Sequence, residues 1–411
     1  MKNLSLLLLW SSHLLWAQNG VRPDLMDALQ SNQKSHFDAG LKHLRSADAA
    51  WMNALRKKAY YNAACSFSLA EAHDRAFENL FILTKIGYSN RNQIENEPDL
   101  AALHPDPRWA KLLATINPAL ASTPHGSRVI TSDIDLFYRA FDMALKEPAK
   151  AATIFQNEYF ARGSDGLQDF FIAKIHSVEQ FAQTVFKYKD FYASARAAIL
   201  KTTALKGPIR KYAATFEELY PEAVFPDLYF VVGRLSSNGT ISENGLLIGT
   251  EQMSKTAQTD TSGWNDWQRQ WVMDFGKIPV TVTHELIHSN QNGMKRENTL
   301  LCYALFEGSA EFITELITGQ TDGDYLEFKG NEQRIWADFK AEMRHDVYDQ
   351  WIEAQPARPR NALYWAGYII AKAYYQNAAD KKKALSDMLN ISNYEAFLAQ
   401  SGADSFVSTI Q

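Results

Sequence analysis

Along the first quarter of the chain, apolar residues recur every three to four positions, the period of a helix that buries one face. The pattern predicts helices from Arg22 to about Ile116. Its clearest stretch is 60–88, which holds Tyr60, Ala63, Ala64, Phe67, Ala76, Leu80, Leu83 and Tyr88. A helix over 48–57 is expected before it, and another in the segment PDPRWAKLLATI after it. Residues 117–126 (NPALASTPHG) carry two prolines, a glycine and small polar residues, the composition of a connection between domains. Helical periodicity resumes over 133–145, 151–160, 166–186 and 190–205. The texture then turns to that of strands. Residues 228–232 (LYFVV) form a β-branched and aromatic run, 239–241 and 245–249 follow, and Ser236 to Gly239 supply turn residues. From Pro279 onward the pattern is again helical, with loops near 319–323 and 355–359.

The first twenty residues, MKNLSLLLLWSSHLLWAQNG, change the picture at one end. Lys2 precedes an apolar stretch over 4–15, broken by Ser11, Ser12 and His13, and Ala17 offers a small residue for cleavage. This predicts a secretory signal peptide over 1–18. The stretch is too short and interrupted to span a bilayer, and no later run has the length of a span. No cysteine follows it, so a bacterial lipid anchor at this point is not expected. The mature chain is expected to be periplasmic or extracellular. A net charge of -5 without a basic stripe gives nucleic acid no footprint. Apolar residues at 46% and aromatics at 12% supply a sizeable core. Cys65 and Cys302 fall in different predicted domains and read as small buried apolar residues rather than as a bridge.

The predicted organisation is therefore an α+β chain, mainly helical: signal peptide 1–18, helical domain 19–118, linker 119–126, and a domain over 127–411 with a small sheet. The 60–88 stretch resembles one tetratricopeptide unit, with a small-residue contact in its first helix and an Ala-x3-Leu seam in its second. One such unit cannot bury its own face, so the flanking helices must cap it. A generic helical hairpin fits the same pattern. The resemblance implies a docking surface for a protein partner, or a rigid cover.

The chemistry gathers at His284-Glu285-Leu286-Ile287-His288. On a helix the two histidines lie four apart and project from one face, so both reach a single zinc ion. Glu285 sits beside the first ligand and can take a proton from water at the metal. Chance gives this pentapeptide in roughly one or two chains per hundred of such composition, so it does not stand alone. Downstream, Glu307 follows His288 with 18 residues between, and Glu311 lies one turn further on the same helical face. A catalytic zinc commonly takes two histidines and a glutamate, leaving one position open. Glu307 is the expected third ligand, and Glu311 the acceptor for the second N–H of a ligand histidine. The neighbouring Phe306, Ala310, Phe312 and Ile313 make this helix apolar, and two buried acids on it need a partner.

His-Glu-x-x-His, 18 residues, then Glu-Gly-x-Ala-Glu resembles the gluzincin peptidases. It implies an exported zinc-dependent peptidase with one Zn²⁺, acting on a peptide or protein substrate, with Glu285 as general base. More narrowly, 131–402 resembles a bacterial family of predicted Zn-dependent proteases and related gliding-motility-like lipoproteins, whose lipobox cysteine this chain lacks. The resemblance implies a tyrosine that steadies the oxyanion. Tyr364 is the candidate, Tyr368 a close rival and His345 a weaker one, and core packing is the alternative for both tyrosines. It also implies a strand edge that pairs with extended substrate, here Gly245, Leu246 and Leu247. The aminopeptidase Gly-x-Met-Glu-Asn segment has only Ser242-Glu243-Asn244-Gly245 as its counterpart, without the Gly and Met of that pattern. The competing reading is a non-catalytic helical-repeat binding protein with a structural zinc site.

Overall fold

Helices with one apolar face need a partner to cover it, and at the N-terminus three of them cover one another in chain order. The computed structural model describes residues 23–116 and 120–410, so the expected signal peptide lies outside the described residues. The chain divides into two units between Pro118 and Ala119. In the first, α1 (Pro23–Asp48) packs on α2 (Asn53–Leu69), and α2 on α3 (His73–Lys85). Ala63, Ala64, Phe67, Ala76, Leu80 and Leu83 are fully buried between them. Leu100 and Leu103, on the 3₁₀ turn Pro98–Leu103, and Leu112, on helix Pro107–Thr115, complete the core.

The helix expected over 48–57 begins only at Asn53, as the start of α2. The chain breaks after Asp48, the Ala49 and Ala50 amides reach back to the Arg45 and Ala47 carbonyls, and Met52 is buried. This break lets α2 fold back along α1, a gain in packing that local periodicity does not register.

The second unit is mainly helical around a small mixed sheet. The helix expected over 133–145 runs as α4 (Ser132–Lys146). The one expected over 166–186 is broken. Helix Asp165–Phe170 passes through a wide turn to His176, whose φ of 67° is left-handed. Ser177 then accepts from the Gln180 amide and starts helix Val178–Lys187. The expected linker contributes to the fold as well, since β1 (Leu120–Ala121) pairs with β3 (Phe225–Pro226).

The four-stranded sheet has the order β2 (Val129–Ile130), β4 (Leu228–Val231), β6 (Gly245–Gly249), β5 (Gly239–Ser242). β2–β4 and β4–β6 are parallel, and β5–β6 is antiparallel. All residues of β4 and β6 are buried, as expected of strands covered on both faces. At the β5–β6 turn Gly245 has φ 143°, and a Cβ there would lie 2.0 Å from the Asp227 carbonyl oxygen.

This order corrects one expectation. Gly245, Leu246 and Leu247 are not on an edge: β6 lies between β4 and β5 and its backbone pairs with both. The edge beside it is β5, where Ile241 is 43% exposed. The unbroken apolar run of β6 is the mark of an interior strand rather than of a docking edge.

Three helices carry the candidate site: α5 (Ile278–His288), α6 (Leu300–Thr318) and α7 (Ala362–Asn377). Pro279 opens α5, Thr299 caps α6 by accepting from the Cys302 amide, and left-handed Gly319 ends it. α6 and α7 meet backbone to backbone. A Cβ on Gly308 would lie 2.0 Å from the Gly367 carbonyl carbon, and one on Gly367 would lie 1.7 Å from the Ala304 oxygen. Gly308 adjoins Glu307 and Gly367 lies one turn after Tyr364, so this crossing sets the height of both. Gly308→Ala and Gly367→Ala should each cost about 3 kcal/mol or more, because the added methyl meets backbone that cannot rotate away. Gly207→Ala, at a position open to solvent, should stay within about 0.5 kcal/mol of wild type. Urea unfolding midpoints decide it, and wild-type midpoints for the first two variants would refute the close-contact argument.

Candidate metal centre

His284 and His288 sit one turn apart on α5, and Glu307 approaches them from α6. His288 Nε2 lies 3.0 Å from His284 Nε2 and 3.1 Å from Glu307 Oε2. His284 Nε2 is 3.5 Å from the same oxygen. A donor atom from each of the three residues falls within 4.8 Å of the other two, close enough to share one ion. Two imidazoles and a carboxylate are a donor set that zinc accepts.

The ring of His288 is fixed on its far side. Its Nδ1 lies 2.7 Å from Gln291 Oε1, and Gln291 Nε2 donates to the Phe306 carbonyl at 2.7 Å. The second bond sets which way the amide faces, so its oxygen points at His288. An amide oxygen only accepts, so Nδ1 carries the proton and Nε2 turns its lone pair toward His284 and Glu307. Phe306 stacks on the same ring at 4.5 Å. Gln291 escaped the sequence reading, although its place three residues after His288 on the helical spacing was a usable signal.

His284 is held differently. Its Nδ1 is buried with no hydrogen-bond partner and lies 3.7 Å from Glu311 Oε1. Glu311 therefore faces the ligand it was expected to orient, but beyond hydrogen-bond length. Its oxygens instead accept from the Asp322 and Gly323 amides at 3.0 and 3.1 Å. A ring whose Nε2 is given to a metal keeps its proton on Nδ1, and Glu311 is the carboxylate that faces that nitrogen.

The charges converge. Burial disfavours a charge on His284, but Glu307, Glu311 and Asp322 outweigh it and lift the imidazole to about 10. Burial raises Glu307 too, yet the two imidazoles win and hold its carboxyl well below the usual range. Burial lifts Glu311 to about 7 and also raises Glu285. A site this rich in buried carboxylates favours a cation.

Tyr364 stacks beside His284, with ring centroids 6.3 Å apart. Burial, then Glu307, Tyr348 and Glu285, push its hydroxyl well above the usual range, so it stays a donor. Tyr368 is engaged elsewhere: its hydroxyl donates to Glu315 at 2.9 Å and accepts from Lys372 at 2.5 Å. His345 meets α6 through its carbonyl, which accepts from the Leu300 amide. Tyr325, absent from the sequence reading, buries an unpartnered hydroxyl near Glu311 and Tyr364. Gly245, Leu246 and Leu247 are buried in the sheet, whereas β5 touches the site: a Cβ on Gly239 would lie 2.7 Å from Glu285 Oε1. Cys65 and Cys302 are both free and buried.

A second cluster, Cys65 with Glu97 and Asp99, lies in the first unit. Burial and the two carboxylates push that thiol up to about 12, which leaves it protonated and a poor ligand.

The sequence profile of the family described as Gliding motility protein GldB matches residues 122–403. No curated protein matches the chain. No solved structure matches it either. This overturns the expected assignment to the gluzincin peptidases, and with it the peptidase function and a peptide substrate: the family matched is a gliding-motility one, not a peptidase family. Short metal-binding patterns recur in unrelated families, which is why the pentapeptide and its spacing misassigned the chain. The family is one of lipoproteins, in keeping with export. No described helix is long and apolar enough to cross a membrane.

The Gln291 contact predicts that His288 carries its proton on Nδ1. Imidazole ¹⁵N shifts at alkaline pH should show that tautomer in the wild type and a mixture in Gln291→Leu. An Nε2–H tautomer in the wild type would contradict the arrangement.

Proposed function

The chain belongs to the gliding-motility GldB family, and from that premise we propose that it is an exported motility component with a zinc-dependent enzyme centre in its second unit. One zinc ion would be held by His284, His288 and Glu307. What carries the reading is the convergence of these three donors from two helices, with Gln291 turning the His288 lone pair inward. The N-terminal helical unit is then the surface offered to a protein partner of the motility machinery.

A zinc ion at such a donor set supplies Lewis acidity, which makes water a usable nucleophile near neutral pH. The residues of the chain do the rest. Burial raises the Glu285 carboxylate, which makes it a better base, and it takes the proton of the attacking water at Oε1 or Oε2 and returns it to the leaving group. Tyr364, protonated, donates its O–H to the negative charge that develops on the substrate. Phe306 covers one face of His288 and keeps water from it.

The donor set favours an enzyme over a zinc-braced scaffold. Structural zinc sites are closed by four protein ligands, commonly rich in cysteine, and this cluster offers two histidines and one glutamate. Glu285 beside it would have no part in a purely structural site.

Metal analysis of the purified chain should find one zinc per molecule, lost in His288→Ala. With p-nitrophenyl acetate as a probe of activated water, Glu285→Gln should retain its zinc and lose turnover by about 10²- to 10⁴-fold. A wild type without zinc, or a Glu285→Gln protein as active as wild type, would end this reading.

A further inference from the structure

The orphaned His284 Nδ1 poses a question of positioning, since the group facing it, Glu311, is tied to something else. That something is the loop that follows α6. Its residues contact both ligand-bearing helices. From the residue that precedes α5, Lys277 Nζ donates to the Thr321 carbonyl at 2.9 Å, and from α5 itself the Thr281 hydroxyl donates to Asp322 Oδ1 at 2.5 Å. Toward α6, the Asp322 amide donates to Glu311 Oε2 at 3.0 Å and the Gly323 amide to Glu311 Oε1 at 3.1 Å. The loop is also braced internally, with the Thr321 hydroxyl donating to the Gly323 carbonyl at 2.8 Å. Gly319, at φ 78°, turns the chain back from α6 to begin it.

Thr281 lies three residues before His284, so the two share a face of α5. The loop thus grips α5 on the side where His284 projects and holds Glu311 by both of its oxygens. A carboxylate fixed at both oxygens cannot swing away from the imidazole in front of it. We propose that residues 319–323 are a clasp that presents Glu311 to His284 Nδ1, with Asp322 and Thr281 as positioning residues for the metal centre. This rests on the zinc reading above. With Nε2 given to a metal, Nδ1 keeps its proton, and Glu311 at 3.7 Å is the acceptor that a small closing movement supplies.

The same side chains allow a rival arrangement, because atoms of His284, Glu311 and Asp322 also fall within 4.8 Å of one another. A second ion there would oblige one imidazole to serve two metals and to give up both of its N–H protons. An Nδ1–H directed at Glu311 asks for neither, and the clasp is the simpler arrangement.

Paired substitutions on the full chain test it. Thr281→Val and Asp322→Ala remove the tie, whereas Thr281→Ser and Asp322→Asn keep a donor and an acceptor in place. Zinc affinity, measured by competition with a chelator, should fall about 10- to 100-fold in the first pair and stay within a few-fold of wild type in the second. Amide hydrogen exchange at Asp322 and Gly323, followed without metal, should speed up by about tenfold in Thr281→Val and not in Thr281→Ser. Unchanged affinity in Thr281→Val and Asp322→Ala would overturn the clasp, as would two zinc ions per wild-type chain. A wild type that takes no zinc counts against the zinc reading instead, and unaltered exchange in Thr281→Val then counts against the clasp independently.

Discussion

Buried carboxylate is the constraint around which the second unit is arranged. Glu311 is drawn out of water, and Glu285 and Glu307 partly so, beside His284 and His288, where an uncompensated buried charge costs several kcal/mol. Glu307 and Glu285 both lie beside the two imidazoles, whose charge opposes the cost of burial, and Glu311 takes two backbone amides from the loop after α6. Compensation at such close quarters needs helices held to within fractions of an ångström, and most of the surrounding fold can be understood as meeting that demand.

The Gly308–Gly367 crossing is the clearest case. Two helices touching through backbone have only one height at which they fit, and that height brings Glu307 and Tyr364 to the same end of the site. The sheet does comparable work from the other side. Its interior strands are buried on both faces, and β5 and β6 support α5, which carries both histidines. Membership of a gliding-motility family is shown for residues 122–403, the unit that carries the candidate site.

The legible parts of the sequence were those in which a local pattern carries its own physical meaning. The four-residue spacing of His284 and His288, the apolar helix around Glu307 and Glu311, and the strand texture from Leu228 to Gly249 all appear in the structure where the pattern placed them. The alanine and leucine positions of the first unit are buried as their period requires. Less legible were the break after Asp48 and the left-handed His176, because each is set by packing against elements distant in sequence. The family assignment failed for a different reason. A motif of a few residues says little about the descent of the chain around it.

The sequence by itself determined that His284 and His288 could share an ion, because helical geometry follows from spacing alone, whereas the approach of Glu307 depends on how α6 packs on α5. It also determined that the chain is mainly helical with a small sheet, because the two periods are distinct. Only the tertiary structure decided which strand is the edge, which tyrosine lies beside His284, and what holds Glu311. Strand order depends on pairings across the chain, which put Gly245, Leu246 and Leu247 inside the sheet and Gly239 beside Glu285. Tyr364 and Tyr368 are one turn apart on the same helix, and only the position of Glu315 and Lys372 draws the second away. Asp322 stands in a polar loop with no period to mark it, and it acquires a role only because that loop closes over two helices.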